Sequence, residues 1–106
     1  MRKLNHIGVP TNVSQPGEFY NEGLKVYLTD FTKSPNRLEF LRLGDEKSPL
    51  AELIQTHTHL AYEVDDIDAE MKGKKVLMEK TVCSPELTIA FIEEEGIALE
   101  LMQYTK

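Results

Sequence analysis

Two short phrases occur twice in the chain, in the same order and at similar spacing. Residues 51–55 read Ala-Glu-Leu-Ile-Gln and residues 99–103 read Leu-Glu-Leu-Met-Gln, while a histidine is the second residue of the matching phrases at 5–9 and 58–62. An internal repeat of about fifty residues indicates two copies of one supersecondary unit. We therefore predict a single domain over 1–106, built from repeats at 3–55 and 57–103.

Length, charge and cysteine content limit the classes of protein to consider. At 106 residues the chain buries only about two-thirds of its unfolded surface, so we expect a homodimer. The net charge of −6 and the scattered basic residues argue against nucleic-acid binding. The single cysteine, Cys83, excludes an internal disulfide and fits a reducing compartment. No signal peptide or membrane-spanning apolar run is visible, so we expect a cytoplasmic protein without a membrane partner.

Hydrophobic alternation and turn residues predict the same order of elements in both repeats, β-α-β-β-β, and so an α+β fold. Strands alternate with turn-forming Gly, Pro, Asn and Ser, and each helix follows the first strand of its repeat. In the first repeat we predict a strand over 3–9, a helix over 14–23, and strands over 25–31, 37–43 and 50–55. In the second we predict a strand over 58–64, a helix from Asp66 to Met71, and strands over 76–80, 87–93 and 97–103.

Strand parity points to a metal site. Side chains alternate between the two faces of a strand, and His6, Glu52, His59 and Glu100 each oppose apolar neighbours. If the two repeats pair their sheets, two imidazoles and two carboxylates gather on one face. At least one of the facing carboxylates should then have a raised pKa in the metal-free protein. The same pattern is also compatible with glutamates that are merely solvated on an exposed strand face, and with residues that a duplication preserved for folding.

The chain resembles the vicinal-oxygen-chelate superfamily, and glyoxalase I and methylmalonyl-CoA epimerase most of all. The resemblance lies in Leu-Asn-His-Ile-Gly-Val at 4–9, in His-Leu-Ala-Tyr-Glu-Val-Asp-Asp-Ile at 59–67, and in the phrases at 90–92 and 98–103. It implies two βαβββ modules that form a cupped mixed sheet around a divalent metal ion. It also implies one ligand from the first and last strand of each module, namely His6, Glu52, His59 and Glu100. Such a donor set suits Zn, Ni, Co or Mn.

The resemblance implies a metal-dependent lyase or isomerase, which acts on a small oxo or hydroxy acid or thioester through a metal-stabilised enolate. Glu100 and Glu52 are then the candidate catalytic bases, and Glu39 is either an extra base or a solvated strand residue. The alternative is a drug-sequestering, bleomycin-resistance-like binding protein without catalysis. An extradiol dioxygenase is disfavoured, because a fourth protein ligand leaves too few open positions for oxygen and a bidentate substrate.

Three further residues carry polar groups that we interpret as structural. Arg42 either holds a substrate carboxylate or, as we expect, pairs with a surface acid. His57 is expected to be an exposed residue at a strand end. Cys83 has no basic neighbour in the sequence, and we expect it to be inert.

Overall fold

A computed structural model describes residues 2–105 and has an α+β architecture. Within these residues, one mixed, curled sheet of eight strands forms a half-barrel with few helices, which confirms the predicted α+β class. The strands are β1 (Lys3–Pro10), β2 (Phe19–Asn21), β3 (Val26–Leu28), β4 (Leu38–Leu43), β5 (His59–Glu63), β6 (Lys75–Ser84), β7 (Leu87–Glu94) and β8 (Ile97–Tyr104). The helices are α1 (Glu52–Thr56) and α2 (Ile67–Met71), with a 3₁₀ turn at Phe31–Lys33.

The strand order has the same pattern on each side of the sheet's middle. It reads β2-β3-β4-β1-β5-β8-β7-β6, so residues of the first repeat form one half and those of the second form the other. In each half the first strand pairs in parallel with the last, β1 with β4 and β5 with β8. The halves meet where β1 and β5 pair antiparallel. The middle of the sheet is therefore the place where residues from both halves lie side by side.

The pairing registers of the two halves correspond residue by residue around the histidines. His6 lies two residues before Gly8, and Gly8 pairs with Glu39 of β4. His59 lies two residues before Ala61, and Ala61 pairs with Glu100 of β8. Glu39 therefore occupies in the first half the register position that Glu100 occupies in the second.

The helix predicted over 14–23 is wrong. This segment contains a turn and the short strand β2 instead. Gly17 has a φ of +75°, in the left-handed region that a continuous helix does not allow. The Glu18 carboxylate accepts hydrogen bonds from the Gln15 backbone N–H and from the Arg42 side chain, which fixes the non-helical path.

The strand predicted over 50–55 is also wrong, because the segment forms helix α1. Leu50 and Ile54 of this segment are buried in the apolar cluster on one face of the sheet, together with Leu28, Leu41 and Phe91. Leu50 lies two residues before the helix begins, and Ile54 is the buried residue within it, so this short helix lays one side on the core. The last strand of the first half is therefore β4, which lies well before the segment that the sequence pattern indicated.

Two apolar clusters stabilise the opposite faces of the sheet. On one face, α2 packs on β7 and β8 and covers Ile92, Leu99 and Leu101. On the other, Ala98 and Met102 join the cluster that α1 covers. Glu100 lies between these last two residues in the strand alternation, so its side chain points to the α1 face.

Among residues 2–105, neither helix has the length or the apolar character that crossing a bilayer requires.

Candidate metal centre

Four side chains meet on the α1 face, where β1 and β5 join the two halves of the sheet. His6, Glu39, His59 and Glu100 each offer one nitrogen or oxygen atom, and these four atoms all lie within 4.8 Å of one another. Three of these residues belong to the predicted quartet. Glu39, for which the sequence leaves open an extra base or a solvated strand residue, is the fourth.

Glu52, the remaining member of the predicted quartet, does not join this cluster. It lies in the first turn of α1 and its side chain is exposed. Strand parity gave it the wrong direction, because the residue is not in a strand. Glu39 supplies the second carboxylate from β4, since its register matches that of Glu100.

Hydrogen bonds to Asn5 define the orientation and the tautomer of the His6 ring. The Asn5 side-chain N–H donates to the Glu63 carboxylate at 2.8 Å, so the Asn5 carbonyl oxygen faces His6. That oxygen lies 2.7 Å from His6 Nδ1 and accepts its proton. Nε2 is therefore the ring nitrogen that faces the carboxylates, 3.3 Å from Glu100 Oε1. A histidine held by an outer hydrogen bond in this way is the usual arrangement in metal sites.

Aromatic stacking fixes the same ring from a second side. Phe31 stacks on His6 with a centroid separation of 4.3 Å and an interplanar angle of 16°. The Arg37 guanidinium lies over the Phe31 ring, 4.9 Å from its centroid. Nε of Arg37 also donates a hydrogen bond to the Asn5 backbone oxygen. Arg37 has a φ of 55°, an uncommon value for a residue with a side chain, and its position ties the 3₁₀ turn to β1.

His59 packs directly over a glycine of the neighbouring strand. A Cβ at Gly8 would overlap Cε1 of the His59 ring, so only glycine leaves room for it. Phe91 contacts the ring edge-on at a centroid distance of 5.2 Å. Nε2 of His59 is 3.2 Å from Glu100 Oε1, and the ring is almost completely buried.

The two carboxylates of the cluster have opposite pKa shifts. Burial, and next the negative charge of Glu100, raise the pKa of Glu39 from 4.5 to about 7. Burial also opposes ionisation of Glu100, but contacts with His59 and His6 outweigh it and lower the pKa of this carboxyl to about 2. The raised pKa was expected at Glu52 or Glu100, but the pKa of Glu100 is lowered and the raised pKa belongs to Glu39.

A buried nitrogen atom without a hydrogen-bond partner indicates whether this site suits a metal ion. Nε2 of His6 lies 3.3 Å from Glu100 Oε1 and 3.6 Å from Glu39 Oε1, yet it is buried without a hydrogen bond. A buried polar atom without a partner costs about 1–3 kcal/mol, whereas a metal ion would satisfy its lone pair. Two imidazoles and two carboxylates form a donor set that borderline divalent ions accept. The residues therefore fit a divalent ion, which His6, Glu39, His59 and Glu100 would hold.

A small cavity opens beside the cluster. It has a volume of about 160 Å³, and Glu39, His59 and Glu100 are part of its lining. The other polar lining residues are Asn21 and Cys83, and the remaining walls are aliphatic or aromatic. A molecule in this cavity would touch the carboxylates and His59 directly.

The structural interpretations of three further residues agree with the structure. Arg42 forms an ion pair with Glu18 and lies over the Tyr27 ring, 4.1 Å from its centroid. His57 is exposed as expected, but it follows α1 and does not end a strand, and its ring contacts the Thr56 hydroxyl at 2.7 Å. Cys83 is exposed on β6, and partial burial raises the pKa of its thiol, which favours the unreactive form.

Sequence reasoning missed the residues that support His6. Asn5 is the extra residue of a β-bulge in β1, which occurs between Leu4 and His6. Simple alternation would place Asn5 on the face opposite His6, but the bulge lets both be buried together. The Asn-His dipeptide gave no sign of this, because bulges depend on the pairing of two distant strands.

Comparison with known proteins supports the fold and gives no information on activity. No family model matches the chain, and no curated protein is similar enough in sequence to be matched. Among solved structures, hypothetical protein BH1468 from Bacillus halodurans C-125 is similar, with a TM-score of 0.64 and 20% identity over 99% of this chain and 96% of that one. At this identity the similarity supports the curled α+β sheet alone.

Proposed function

We propose that this protein binds a divalent metal ion through His6, Glu39, His59 and Glu100 and acts as a metal-dependent lyase or isomerase on a small oxygen-containing substrate. The observation that carries the proposal is the convergence of four buried or nearly buried donor atoms within 4.8 Å. Carboxylates and imidazoles that meet in a cleft without any basic side chain among them are more typical of a metal site than of an ion-pair network.

The sheet topology supports a vicinal-oxygen-chelate-like arrangement as part of this proposal. Each half has the same strand order, and each contributes one histidine from its first strand and one glutamate from its last. The first half departs from the βαβββ pattern, because no α-helix lies between β1 and β2. The metal quartet that we propose contains Glu39 in place of Glu52. Glu39 also takes the place of Glu52 as the second candidate catalytic base.

The residues of the cluster have distinct chemical roles in this proposal. A divalent ion, when bound, supplies Lewis-acid polarisation of the substrate oxygens. Glu100 has a lowered pKa and stays ionised near neutral pH, which suits a permanent ligand. Glu39 has a raised pKa and faces the cavity, so its carboxylate is better placed to take and return a proton beside the substrate carbonyl.

A second candidate function is a small-molecule binding protein without catalysis. The apolar walls of the cavity favour it, since such walls suffice to bind a ligand without any reaction. Measurement of proton exchange at the carbon next to the carbonyl of bound small hydroxycarbonyl compounds separates the two functions. An enzyme exchanges this proton and a sequestering protein does not.

Metal uptake by matched glutamate variants tests the proposal. We expect protein purified without chelator to bind about one equivalent of Zn²⁺ or Co²⁺, and Glu39→Ala and Glu100→Ala to weaken this binding at least tenfold. Glu52→Ala is the matched control, because it removes an exposed carboxylate outside the cluster. If Glu52→Ala loses the metal and Glu39→Ala keeps it, the ligand set proposed here is wrong. No uptake by the unaltered protein would exclude the metal-dependent function.

We propose, in addition, that complete domains associate as homodimers. Strands β2 and β6 lie at the two ends of the sheet order, and open edges of this kind favour association. Sedimentation velocity at micromolar concentration tests this, and a monomer at all concentrations would contradict it.

A further inference from the structure

We propose that the substrate of this site is a very small molecule whose body is uncharged and apolar apart from the oxygens that face the metal centre. This inference rests on the proposed function and specifies its substrate class. It follows from three properties of the cavity: its volume, the composition of its walls, and the charge balance of the cluster at its base.

The cavity volume sets the size of the ligand. At about 160 Å³ it is about half the lower limit of sites for drug-sized ligands, which have volumes of about 300–1,000 Å³. The cavity therefore accommodates a ligand of only a few carbon atoms beyond its chelating oxygens.

The walls exclude a charged body. None of the described residues that line the cavity is a lysine or an arginine, and the walls away from the cluster include Leu28, Ile54, Met78 and Phe91. The guanidinium groups of Arg37 and Arg42 are engaged elsewhere, over Phe31 and with Glu18 respectively. A carboxylate or phosphate on the ligand would thus be buried without a partner, which is strongly unfavourable.

The cluster itself does not attract a further anionic group. The charges of two carboxylates and one divalent ion balance, and both histidines are neutral when they act as ligands. The electrostatic attraction that draws polyanionic substrates into basic clefts is therefore lacking here. Thioesters of coenzyme A, glutathione conjugates and dicarboxylic acids are excluded from the substrate class, and short neutral hydroxycarbonyl compounds are included.

Two hydroxamates with the same chelating group and different tails test this inference. Acetohydroxamic acid has a methyl tail, whereas succinic acid monohydroxamate has a longer tail that ends in a carboxylate. Each is titrated into the Co²⁺-loaded protein and its binding is followed in the visible spectrum of the ion. We expect acetohydroxamic acid to bind at least tenfold more tightly.

A charge introduced into the wall provides the matched variant. Met78→Lys places an ammonium group at a partly buried, flexible position on β6, and Met78→Gln is the uncharged control. We expect Met78→Lys to bind the carboxylate-tailed probe at least tenfold more tightly than the unaltered protein does. Met78→Gln should not change the preference. Butyrohydroxamic acid, which has a neutral tail of comparable length, separates the effect of charge from that of size.

The outcomes distinguish this inference from the proposed function. Equal or tighter binding of the carboxylate-tailed probe by the unaltered protein overturns the substrate class, while Co²⁺ uptake shows that the metal site stands. Failure to take up Co²⁺ overturns the metal site and the substrate class together. If Met78→Lys takes up Co²⁺ but the preference stays the same, Met78 does not line the ligand site and the inference fails.

Discussion

Replacement of Glu39 by glutamine should stabilise the metal-free protein at alkaline pH, although it removes a proposed ligand. The pKa of Glu39 is raised from 4.5 to about 7, chiefly by burial, so the folded state disfavours its charge. The unfolded chain ionises this group from pH 4.5 upward and thus binds fewer protons than the folded chain. The free energy of unfolding must therefore fall as pH rises from 4.5 to 7. Glutamine has the shape of the neutral acid and no charge to bury.

The magnitude follows from the size of the pKa shift. One pKa unit corresponds to about 1.4 kcal/mol, so ionisation of Glu39 destabilises the folded protein by about 3 kcal/mol at pH 8. At pH 5 most of this penalty is absent and less than about 1 kcal/mol remains. Domains of this size unfold with only about 5–15 kcal/mol, so the difference at pH 8 is readily measured.

Urea denaturation of the two proteins at pH 5 and pH 8, in the presence of a chelator, provides the assay. Glu39→Gln should be more stable by about 3 kcal/mol at pH 8 and by less than about 1 kcal/mol at pH 5. Glu52→Gln, an exposed control, should change neither value. Excess Zn²⁺ should reverse the order of stabilities at pH 8, because the variant lacks one ligand. If the stability of both proteins shows the same pH dependence between pH 5 and pH 8, the conclusion that burial raises the pKa of Glu39 is refuted.

Three further predictions concern the surroundings of the cluster. Asn5→Leu removes the acceptor for His6 Nδ1–H and should weaken Zn²⁺ binding about 10–100-fold. Nitrogen NMR of the imidazole should show loss of the single Nδ1–H tautomer. An unchanged tautomer would contradict this prediction. Gly8→Ala forces a methyl group into the His59 ring and should destabilise the domain by about 1–3 kcal/mol in urea, with unchanged stability as the opposing result. Arg42 lowers the pKa of Glu18 to about 2, so the stability contributed by this pair is complete above pH 4.5 and is lost as pH falls toward 2. The free energy of unfolding of Glu18→Gln should therefore depend less on pH in this acid range. An identical pH dependence of the two proteins would count against the pair.

The histidines and Glu100 were predictable from the sequence because the residues that follow each of them alternate between the two faces, although β1 is bulged just before His6. His6, His59 and Glu100 each stand among apolar residues of opposite parity, and the strands that carry them are present close to their predicted bounds. For a strand in a sheet with two covered faces, alternation is enough to fix the direction of a side chain. Three of the four residues in the cluster required no knowledge of the pairing between strands.

Glu39 was not predictable in the same way, because its role depends on register between distant strands. The Ala-Glu-Leu-Ile-Gln segment at 51–55 is similar in sequence to the segment at 99–103, but it forms most of a helix. Its apolar residues fit both an alternating strand and one side of a short helix, and tertiary packing of Leu50 and Ile54 decides between the two. Glu39 becomes the counterpart of Glu100 only when β4 pairs with β1.

The position of β1 in the middle of the sheet has a consequence for the order of events during synthesis. β1 is made before the other described strands of the sheet, but its antiparallel partner β5 follows only after the whole first half. A nascent first half can pair β1 with β4, and until β5 emerges the other edge of β1 is open. Such an edge readily pairs with other chains. His6 and Glu39 would stand on this unfinished half without His59 and Glu100, so the central strand is most exposed to misassembly on the ribosome.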